Sequence, residues 1–205
     1  MDDIYKNMLL EEIPWNMETP PGLLVELVDS GKVQPCRAID LGCGTGNYAI
    51  YLAGRGFEVT GVDFSPTAVK IAKENAKRKG VSCSFFVADV VDEPAEFDQT
   101  WDFVYDWGLL HHIFGEQREK YVENVCRILN SKGKYLSVCF SEKDTGFGAS
   151  GKYRKTSLGS VLYFCCEEEL RELFAPHFQI IELRTVEISG KFQSHVFNYV
   201  FMQKE

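Results

Sequence analysis

The sequence has no apolar stretch of the roughly 18 residues that a membrane-spanning helix needs. Its first residues, Met-Asp-Asp-Ile-Tyr-Lys, also lack the basic-then-apolar order of a secretory signal. The 205 residues contain neither internal repeats nor low-complexity tracts, and this length is within the range of one α/β domain. We therefore expect a single cytoplasmic domain without a membrane partner.

Positive charge is scarce. The chain has 22 Lys and Arg against 30 Asp and Glu, a formal net charge of −8. Because nucleic-acid binding is dominated by neutralising phosphates, this charge argues against a nucleic-acid partner. The basic cluster outside predicted helices is Lys152, Arg154 and Lys155, which we interpret as a solvated loop or as a site for an anionic group of a substrate.

The seven cysteines form no Cys-x-x-Cys motif. An odd number of cysteines, several of them inside predicted strands and helices, indicates reduced thiols rather than a disulfide framework. Cys165 and Cys166 are adjacent in the chain and so converge poorly on one ion. We predict no metal site.

The most informative pattern that is present lies in residues 38–63. An apolar run ends in Asp40, a glycine-rich turn and a helix-like stretch follow, and a second apolar run ends in Asp63. This order predicts strand, loop, helix and strand, with one carboxylate at the tip of each strand. Ligands of open parallel sheets bind at those tips, and an acid about 20 residues after the loop is typical of ribose binding.

The loop discriminates between nucleotide ligands. A dinucleotide fingerprint would require its third glycine at Asn47, whereas the third glycine here is Gly46, and the Gly-Lys-Ser/Thr of a phosphate loop does not occur. A carboxylate at Asp40 repels a pyrophosphate but attracts an amino group or a sulfonium. S-adenosylmethionine carries both of these cations and no phosphate.

With these features, the sequence resembles the class I S-adenosylmethionine-dependent methyltransferases, whose acid-x-Gly-x-Gly-x-Gly motif reads here from Asp40 to Gly46. The resemblance implies a methyltransferase (EC 2.1.1 class) with S-adenosylmethionine as cofactor and S-adenosylhomocysteine as product. It also implies an adenine contact from an acid after the third strand and a methionine contact from the segment after the fourth. The cofactor-binding residues that it predicts are Asp40, Gly42, Cys43, Gly44, Gly46, Asp63, Phe64, Ala88, Asp89, Val90, Trp107 and Trp15.

The predicted fold is α/β and Rossmann-like. Ser65 and Pro66 begin a helix with an apolar stripe that ends at Gly80, and apolar runs over 84–89, 101–106 and 135–140 predict three further strands. A helix over 167–174 and two long strands over 178–188 and 196–202 complete the chain. The resemblance implies a seven-stranded, mostly parallel sheet in the order 3-2-1-4-5-7-6, with the last strand antiparallel and helices on both faces.

Two segments outside this core are expected to select the acceptor. Residues 1–35 predict a helical lid with an amphipathic helix through Ile4, Met8, Leu9 and Ile13, and residues 36–205 the methyltransferase domain. The lid resembles those of the thiopurine, tellurite-resistance and thiol methyltransferases. We interpret Trp15 of this lid either as a core aromatic or as a wall over the reactive methyl group. Residues 141–160 are rich in Gly, Ser and Lys and predict a flap over the acceptor.

The predicted acceptor is a small molecule, with a thiol or another soft nucleophile favoured. Transfer from a sulfonium mainly needs alignment, and a base only where the acceptor must lose a proton. The candidate catalytic residues are His111 and His112, each a possible base, and Asp106, which could orient the acceptor or the methionine amine. We interpret His177 and His195 as structural.

Two other functions stay open at this point. A non-catalytic subunit with the same fold would bind a protein partner, although the intact loop and acids argue against a decayed site. A nicotinamide-dependent oxidoreductase is disfavoured by Asn47 and Asp40. The sequence leaves the methylated atom and the oligomeric state undetermined.

Overall fold

A seven-stranded sheet forms the centre of the protein. The computed structural model describes residues 1–92, 100–148 and 151–205. The sheet strands are β1 (Arg37–Leu41), β2 (Glu58–Asp63), β3 (Cys83–Val87), β4 (Trp101–Trp107), β5 (Leu129–Phe140), β8 (Phe178–Ser189) and β9 (Ser194–Lys204). Two short strands, β6 (Tyr153–Lys155) and β7 (Val161–Tyr163), form a separate antiparallel ladder.

The strand order is β3-β2-β1-β4-β5-β9-β8. The first five strands are mutually parallel, and β9 runs antiparallel to both β5 and β8. This confirms the predicted α/β class and order, because β8 and β9 are the sixth and seventh strands of the large sheet. Only the numbering differs, since β6 and β7 intervene in the chain.

Helices cover both faces of the sheet. They are α1 (Asp2–Asn7), α2 (Gly22–Asp29), α3 (Asn47–Gly54), α4 (Pro66–Lys79), α5 (Gln117–Ile128) and α6 (Glu167–Phe174). One apolar core packs α5 and α6 against the sheet, and a second packs α2, α3 and α4 against the opposite face. Adjacent residues of β1 alternate between these cores, as the period-two geometry of a strand requires. None of the described helices is long and apolar enough to cross a membrane.

Two predicted boundaries were wrong. The first helix ends at Asn7 rather than continuing through Ile13, because Met8 is extended; Leu9 is therefore 60% exposed, whereas Ile13 is fully buried. The fifth strand begins at Leu129 rather than near Tyr135, and its pairing with β4 shifts register after the first pair. The left-handed backbone of Lys132 accommodates this irregularity.

The helix α4 confirms the local signals in its sequence. The hydroxyl of Ser65 accepts a hydrogen bond from the amide of Ala68, Pro66 occupies the first turn, and Gly80 ends the helix in the left-handed conformation. The apolar stripe of Val69, Ala72 and Ala76 is buried. The helix start therefore lies directly after Asp63, at the tip of β2.

Gly46 begins α3 with φ 78° and lies against the neighbouring helix and strand. A Cβ built on it would lie 2.8 Å from Cζ of Phe85 and 2.9 Å from Cβ of Ala72. We expect Gly46→Ala to lower the free energy of unfolding by about 2–4 kcal/mol, combining backbone strain with overpacking. The matched control is Gly80→Ala, which has φ 69° but no atom within 4 Å of the added Cβ. Urea unfolding of both variants should show the larger loss at Gly46; equal losses would contradict the packing explanation.

Candidate functional site

A cavity of about 950 Å³ opens at one edge of the sheet. Parallel strands present their carboxyl ends at the same edge, and the antiparallel β9 presents its first residues there. The strand order therefore arranges the lining residues in a row: Asp89 after β3, Asp63 on β2, Asp40 on β1, Trp107 on β4, Phe140 on β5 and Phe197 on β9. At about 4.8 Å per strand, this row is roughly 24 Å long. It is long enough for two ligands side by side.

The glycine-rich loop lies under the middle of this row. Gly42, Cys43 and Gly44 line the cavity. A Cβ at Gly44 would lie 2.9 Å from the hydroxyl of Tyr5, and its φ is 52°, so a side chain there would be strained as well as crowded. The loop therefore leaves its backbone accessible to a ligand and to the N-terminal segment above it.

Acidic groups dominate the charge of the cavity. Asp40, Asp63, Asp89 and Glu187 line it, and no Lys or Arg side chain does so among the residues that the structure describes. The carboxylate of Asp63 accepts hydrogen bonds from the amides of Gly44 and Ser65, both at 2.8 Å, which fixes its position at the tip of β2. Such a cavity favours cationic ligands over phosphates.

Asp40 is the most unusual of these acids. Its side chain is 2% exposed, and its Oδ2 has no hydrogen-bond partner. Burial raises the pKa of Asp40 to about 8, and burial also raises the pKa of Asp63. A buried carboxylate without a partner is costly. A cation placed in the cavity would supply the missing interaction.

The N-terminal segment covers the glycine-rich loop. The indole N–H of Trp15 donates to the hydroxyl of Tyr5 at 2.9 Å, and both residues line the cavity. Asp2 accepts hydrogen bonds from the hydroxyl of Ser65 and the amide of Thr67, which ties α1 to the start of α4. The position of Trp15 agrees with its predicted role as a wall of the site, although its partial exposure places it at the rim.

Lys191 binds the loop between α1 and α2 to the rest of the protein. It lies in the turn between β8 and β9, and its Nζ donates to the carbonyl oxygens of Leu10, Ile13 and Asn16 at 3.1, 3.3 and 3.1 Å. The side chain of Asn16 in turn accepts a hydrogen bond from the hydroxyl of Thr45 in the glycine-rich loop. This lid loop, residues 8–17, thus connects the glycine-rich loop to the turn between β8 and β9.

His111 and His112 both lie in the cavity wall, in a short 3-10 turn after β4. The guanidinium of Arg118 donates to the carbonyl oxygens of Leu110 and Ile113 and holds this turn. Burial lowers the pKa of His111 well below its usual range and that of His112 to about 4. Both rings are therefore neutral near pH 7, and Nδ1 of His111 has no partner. The same lowered pKa values make them weak proton acceptors.

Three predicted site residues are not among those that line the cavity. Asp106 is fully buried beneath it, and its Oδ2 accepts hydrogen bonds from the hydroxyls of Tyr121 and Tyr135 at 3.1 and 2.6 Å. Burial raises the pKa of Asp106 to about 6. Its Oδ2 thus belongs to a core network, whereas its Oδ1 has no hydrogen-bond partner. Gly46 packs against the core, and the partly buried Ala88 packs at its edge.

The far end of the row is aromatic and contains a histidine that sequence reasoning missed. Phe140 stacks on Phe197 at 4.5 Å and contacts Phe147, and all three line the cavity with His195. Nδ1 of His195 lies 3.1 Å from Oδ2 of Asp144, whose side chain is 2% exposed. His195, interpreted from the sequence as structural, therefore lies in the cavity wall. His177 is not part of the lining.

Hydrogen bonds from Arg154 hold part of the predicted flap in place. Arg154 is buried, stacks on Phe164, and donates to the carbonyl oxygens of Glu142, Asp144 and Gly151. It is therefore neither a solvated residue nor an anion site. Thr156, Ser157, Leu158 and Ser160 line the cavity, so this segment covers its aromatic end. Residues 149–150 of the predicted flap lie outside the described residues.

The described residues contain one cluster with metal-ligand chemistry, Glu142, Cys166 and Glu169. Glu169 already accepts hydrogen bonds from the amide of Cys166 and the hydroxyl of Tyr163 and pairs with Lys152. This cluster is a capped helix start rather than a metal site. All seven cysteines are free thiols.

Comparisons with known proteins agree with this geometry. Residues 38–133 match the family described as a methyltransferase domain. A 2-heptyl-1-hydroxyquinolin-4(1H)-one methyltransferase of Mycobacteroides abscessus is 32% identical over 130 residues, which cover 63% of this chain and 56% of that protein. A probable S-adenosyl-L-methionine-dependent methyltransferase, TehB of Haemophilus influenzae, is 25% identical over 58% of this chain and 41% of its own length. The chain thus spans about half the length of the curated relatives it matches.

Among solved structures, the protein of a study of the conversion of a disulfide bond into a thioacetal group during echinomycin biosynthesis has a TM-score of 0.84. It is 24% identical, and the match covers 100% of this chain and 90% of that one. At this identity the match supports the fold. Together the comparisons confirm the resemblance to class I S-adenosylmethionine-dependent methyltransferases that the sequence predicted.

The raised pKa of Asp40 predicts a pH-dependent stability. The folded protein holds this proton more tightly than the unfolded chain, so the contribution of Asp40 is complete below pH ~4 and is lost as the pH rises through about 8. The side chain of Asp40→Asn cannot ionise. In the absence of ligand at pH 8, we therefore expect the free energy of unfolding of this variant to be about 1–3 kcal/mol higher than that of the wild type. Denaturant unfolding between pH 5 and 8 measures this difference. A constant difference over that range would contradict the raised pKa of Asp40. The control is Asp29→Asn, which makes the same change at an exposed acid.

The three hydrogen bonds of Lys191 predict that it holds the lid loop closed. Lys191→Met should increase amide hydrogen exchange in residues 8–17 by at least about tenfold, because hydrogen bonds from a charged donor contribute about 1.5–3 kcal/mol. The matched control is Lys204→Met, since Lys204 donates in the same way to the carbonyl oxygens of Cys126 and Leu129. Exchange of the lid loop should be unchanged in the control. Equal exchange in both variants would show that Lys191 has no specific effect on the lid.

Proposed function

We propose that this protein transfers the methyl group of S-adenosylmethionine to a small apolar acceptor. The observation that carries the proposal is the acidic lining of the cavity. This lining contains the glycine-rich loop and four carboxyl groups, and no Lys or Arg occurs among the described lining residues. A sulfonium and an amino group match this charge, whereas a dinucleotide would bring two phosphates against it.

The lining residues fit the cofactor in the order that the sheet imposes. Asp89, Phe64 and Val90 lie at the β3 end, where an adenine ring is expected. Asp63 lies next, at the position of a ribose-binding acid. Asp40 follows, and its unpartnered Oδ2 provides an acceptor for the methionine amino group. Trp107 then separates this half of the cavity from the aromatic end.

When bound, S-adenosylmethionine supplies a methyl group already activated by its sulfonium leaving group. The protein's own contribution is to align the acceptor behind the methyl carbon, an effect of up to about 7–11 kcal/mol in the best cases. Tyr5, Trp15 and the lid loop cover one side of the cavity, and residues 156–160 cover the other. These segments exclude water from the transfer. His111, with its unpartnered Nδ1, is placed to bind the acceptor or the cofactor.

The acceptor that this cavity suits is a flat, apolar ring with a hydroxyl or thiol group. Phe140, Phe147, Phe197 and Leu162 provide apolar walls, and aromatic side chains favour offset or edge contacts with a ring. The mycobacterial relative is named for an acceptor of this kind, a hydroxyquinolinone. A thiol satisfies the same requirements, as proposed from the sequence.

The negative charge of the chain supports the expectation of a small-molecule rather than a nucleic-acid partner. A non-catalytic subunit is less well supported, because the cavity is open, large and lined by the complete set of acids. The cytoplasmic location and the division into a lid of residues 1–35 and a domain of residues 36–205 stay as predictions.

Binding of S-adenosylhomocysteine tests the proposal directly. We expect a Kd in the micromolar range by isothermal titration calorimetry, and no binding of NAD. Asp63→Ala should weaken S-adenosylhomocysteine binding by about 100-fold, through loss of charged hydrogen bonds. Asp29→Ala, at an exposed acid outside the cavity, should bind as the wild type does. Urea unfolding of each variant checks that it is folded.

Binding of NAD without S-adenosylhomocysteine would replace the proposal with an oxidoreductase. If the folded wild type bound neither ligand, the non-catalytic subunit would become the better explanation. Tight S-adenosylhomocysteine binding by folded Asp63→Ala would show that the ribose site is wrongly assigned.

A further inference from the structure

The aromatic end of the cavity contains a histidine–carboxylate pair that the cofactor does not need. His195, near the start of β9, and Asp144, which follows β5, are 51 residues apart in the chain, and Nδ1 of His195 lies 3.1 Å from Oδ2 of Asp144. His195 lines the cavity with Phe140, whereas Asp144 lies behind it and is 4% exposed. The pair therefore has a buried carboxylate on its inner side and an imidazole in the cavity wall.

Asp144 does not require the imidazole as a hydrogen-bond partner. Its Oδ1 accepts from the amide of Gly146 at 2.7 Å and its Oδ2 from the amide of Val196 at 2.6 Å. These two amides already fix the carboxylate to the segment after β5 and to β9. The bond to His195 is additional. In that geometry a carboxylate selects the tautomer with the proton on Nδ1 and stabilises the imidazolium that forms when Nε2 takes a proton.

The surroundings hold the imidazole ring in one orientation. Phe147 stacks on it at 5.0 Å with an interplanar angle of 11°, and Phe140 contacts it edge-on at 5.3 Å. The backbone of Phe147 is left-handed, with φ 65°, a conformation that costs a non-glycine residue about 1–2 kcal/mol. The structure maintains this conformation where Phe147 packs on His195. A ring fixed on both its polar and its apolar sides is suited to a single reaction geometry.

Nε2 of His195 carries the free lone pair of this tautomer. In the structure it lies 3.1 Å from the side-chain amide of Gln193, which is exposed. A role as base requires that an acceptor hydroxyl replace this exposed amide as the donor to Nε2. His111 also contacts Phe140, but its Nδ1 has no partner, and burial lowers its pKa well below the usual range, which makes it a weak proton acceptor.

We infer that His195 is the general base for acceptors that must lose a proton, and that Asp144 is its positioning residue. This inference rests on the proposed function. The O–H proton of the acceptor moves to Nε2 of His195. The oxygen lone pair forms the new bond to the methyl carbon, while the electron pair of the carbon–sulfur bond stays on sulfur, and His195 later releases its proton to solvent. Acceptors that arrive ionised, such as aryl thiols, do not use this step.

The test uses two acceptors that differ only in the reacting atom, 1-naphthol and 1-naphthalenethiol. The variant is His195→Asn, whose amide N–H can still donate to Asp144 but whose side chain cannot take a proton. We expect His195→Asn to lose about 100-fold or more in kcat/KM for the naphthol, the usual contribution of a general base, and to lose much less for the thiol, for which only the ring contacts of His195 are removed. His177→Asn, the same change at a histidine outside the cavity lining, should affect neither acceptor.

Two further measurements separate this inference from the proposed function. Long-range ¹H–¹⁵N correlation spectra of the S-adenosylhomocysteine complex at pH 8 should show His195 protonated on Nδ1 and free on Nε2; the opposite tautomer would overturn the inference. Calorimetry should show unchanged S-adenosylhomocysteine binding by His195→Asn. An equal loss for both acceptors, or no loss for the naphthol, would leave His195 with a structural role only. If the wild type methylated neither acceptor, the proposed acceptor class and the inference would both be rejected.

Discussion

The burial of Asp40 at the end of the central strand is the constraint on which the site depends. Its side chain is buried, and the strand that carries it is paired on both sides. The fold cannot expose this group to water without opening β1 or the glycine-rich loop that follows it. Its Oδ2 has no hydrogen-bond partner, and burial raises the pKa of the group to about 8. Binding of a cation would relieve this cost, so the strain in the ligand-free protein favours one class of ligand.

The strand order determines where each chemical step can occur. Because β1 lies between β2 and β4, the positions proposed for the ribose and for the methionine are neighbours. Because β5 and β9 follow on the same side, the aromatic end lies beyond the methionine position rather than beyond the adenine position. A reactive methyl group at Trp107 would thus face Phe140 and the two histidines that flank it. The topology thus places the proposed acceptor site in the same domain as the proposed cofactor site.

Local patterns predicted most of the residues that line the half of the cavity proposed for the cofactor, whereas the half proposed for the acceptor depends on long-range contacts. The acid, glycines and second acid lie within 24 residues, and their strand–loop–helix order fixes their relative positions. His195 and Asp144 approach each other only because β9 inserts antiparallel beside β5, a register that neither residue's neighbours reveal. For Asp106 the local pattern had the opposite effect, because it suggested a site residue that does not line the cavity. It follows the same strand-tip pattern as Asp40, but Tyr121 and Tyr135 donate to it from behind, so it belongs to the core.

The turn between β8 and β9 connects the lid loop to the proposed base, His195. Lys191 in this turn binds the lid loop through three carbonyl oxygens, and four residues later His195 binds Asp144. Gly190 and Ser189, on the other side of Lys191, line the cavity themselves. A displacement of this turn would therefore change the lid and the proposed base together. Closure of the lid over the cofactor and alignment of the acceptor would then be one event, which would protect the sulfonium from water until an acceptor is in place.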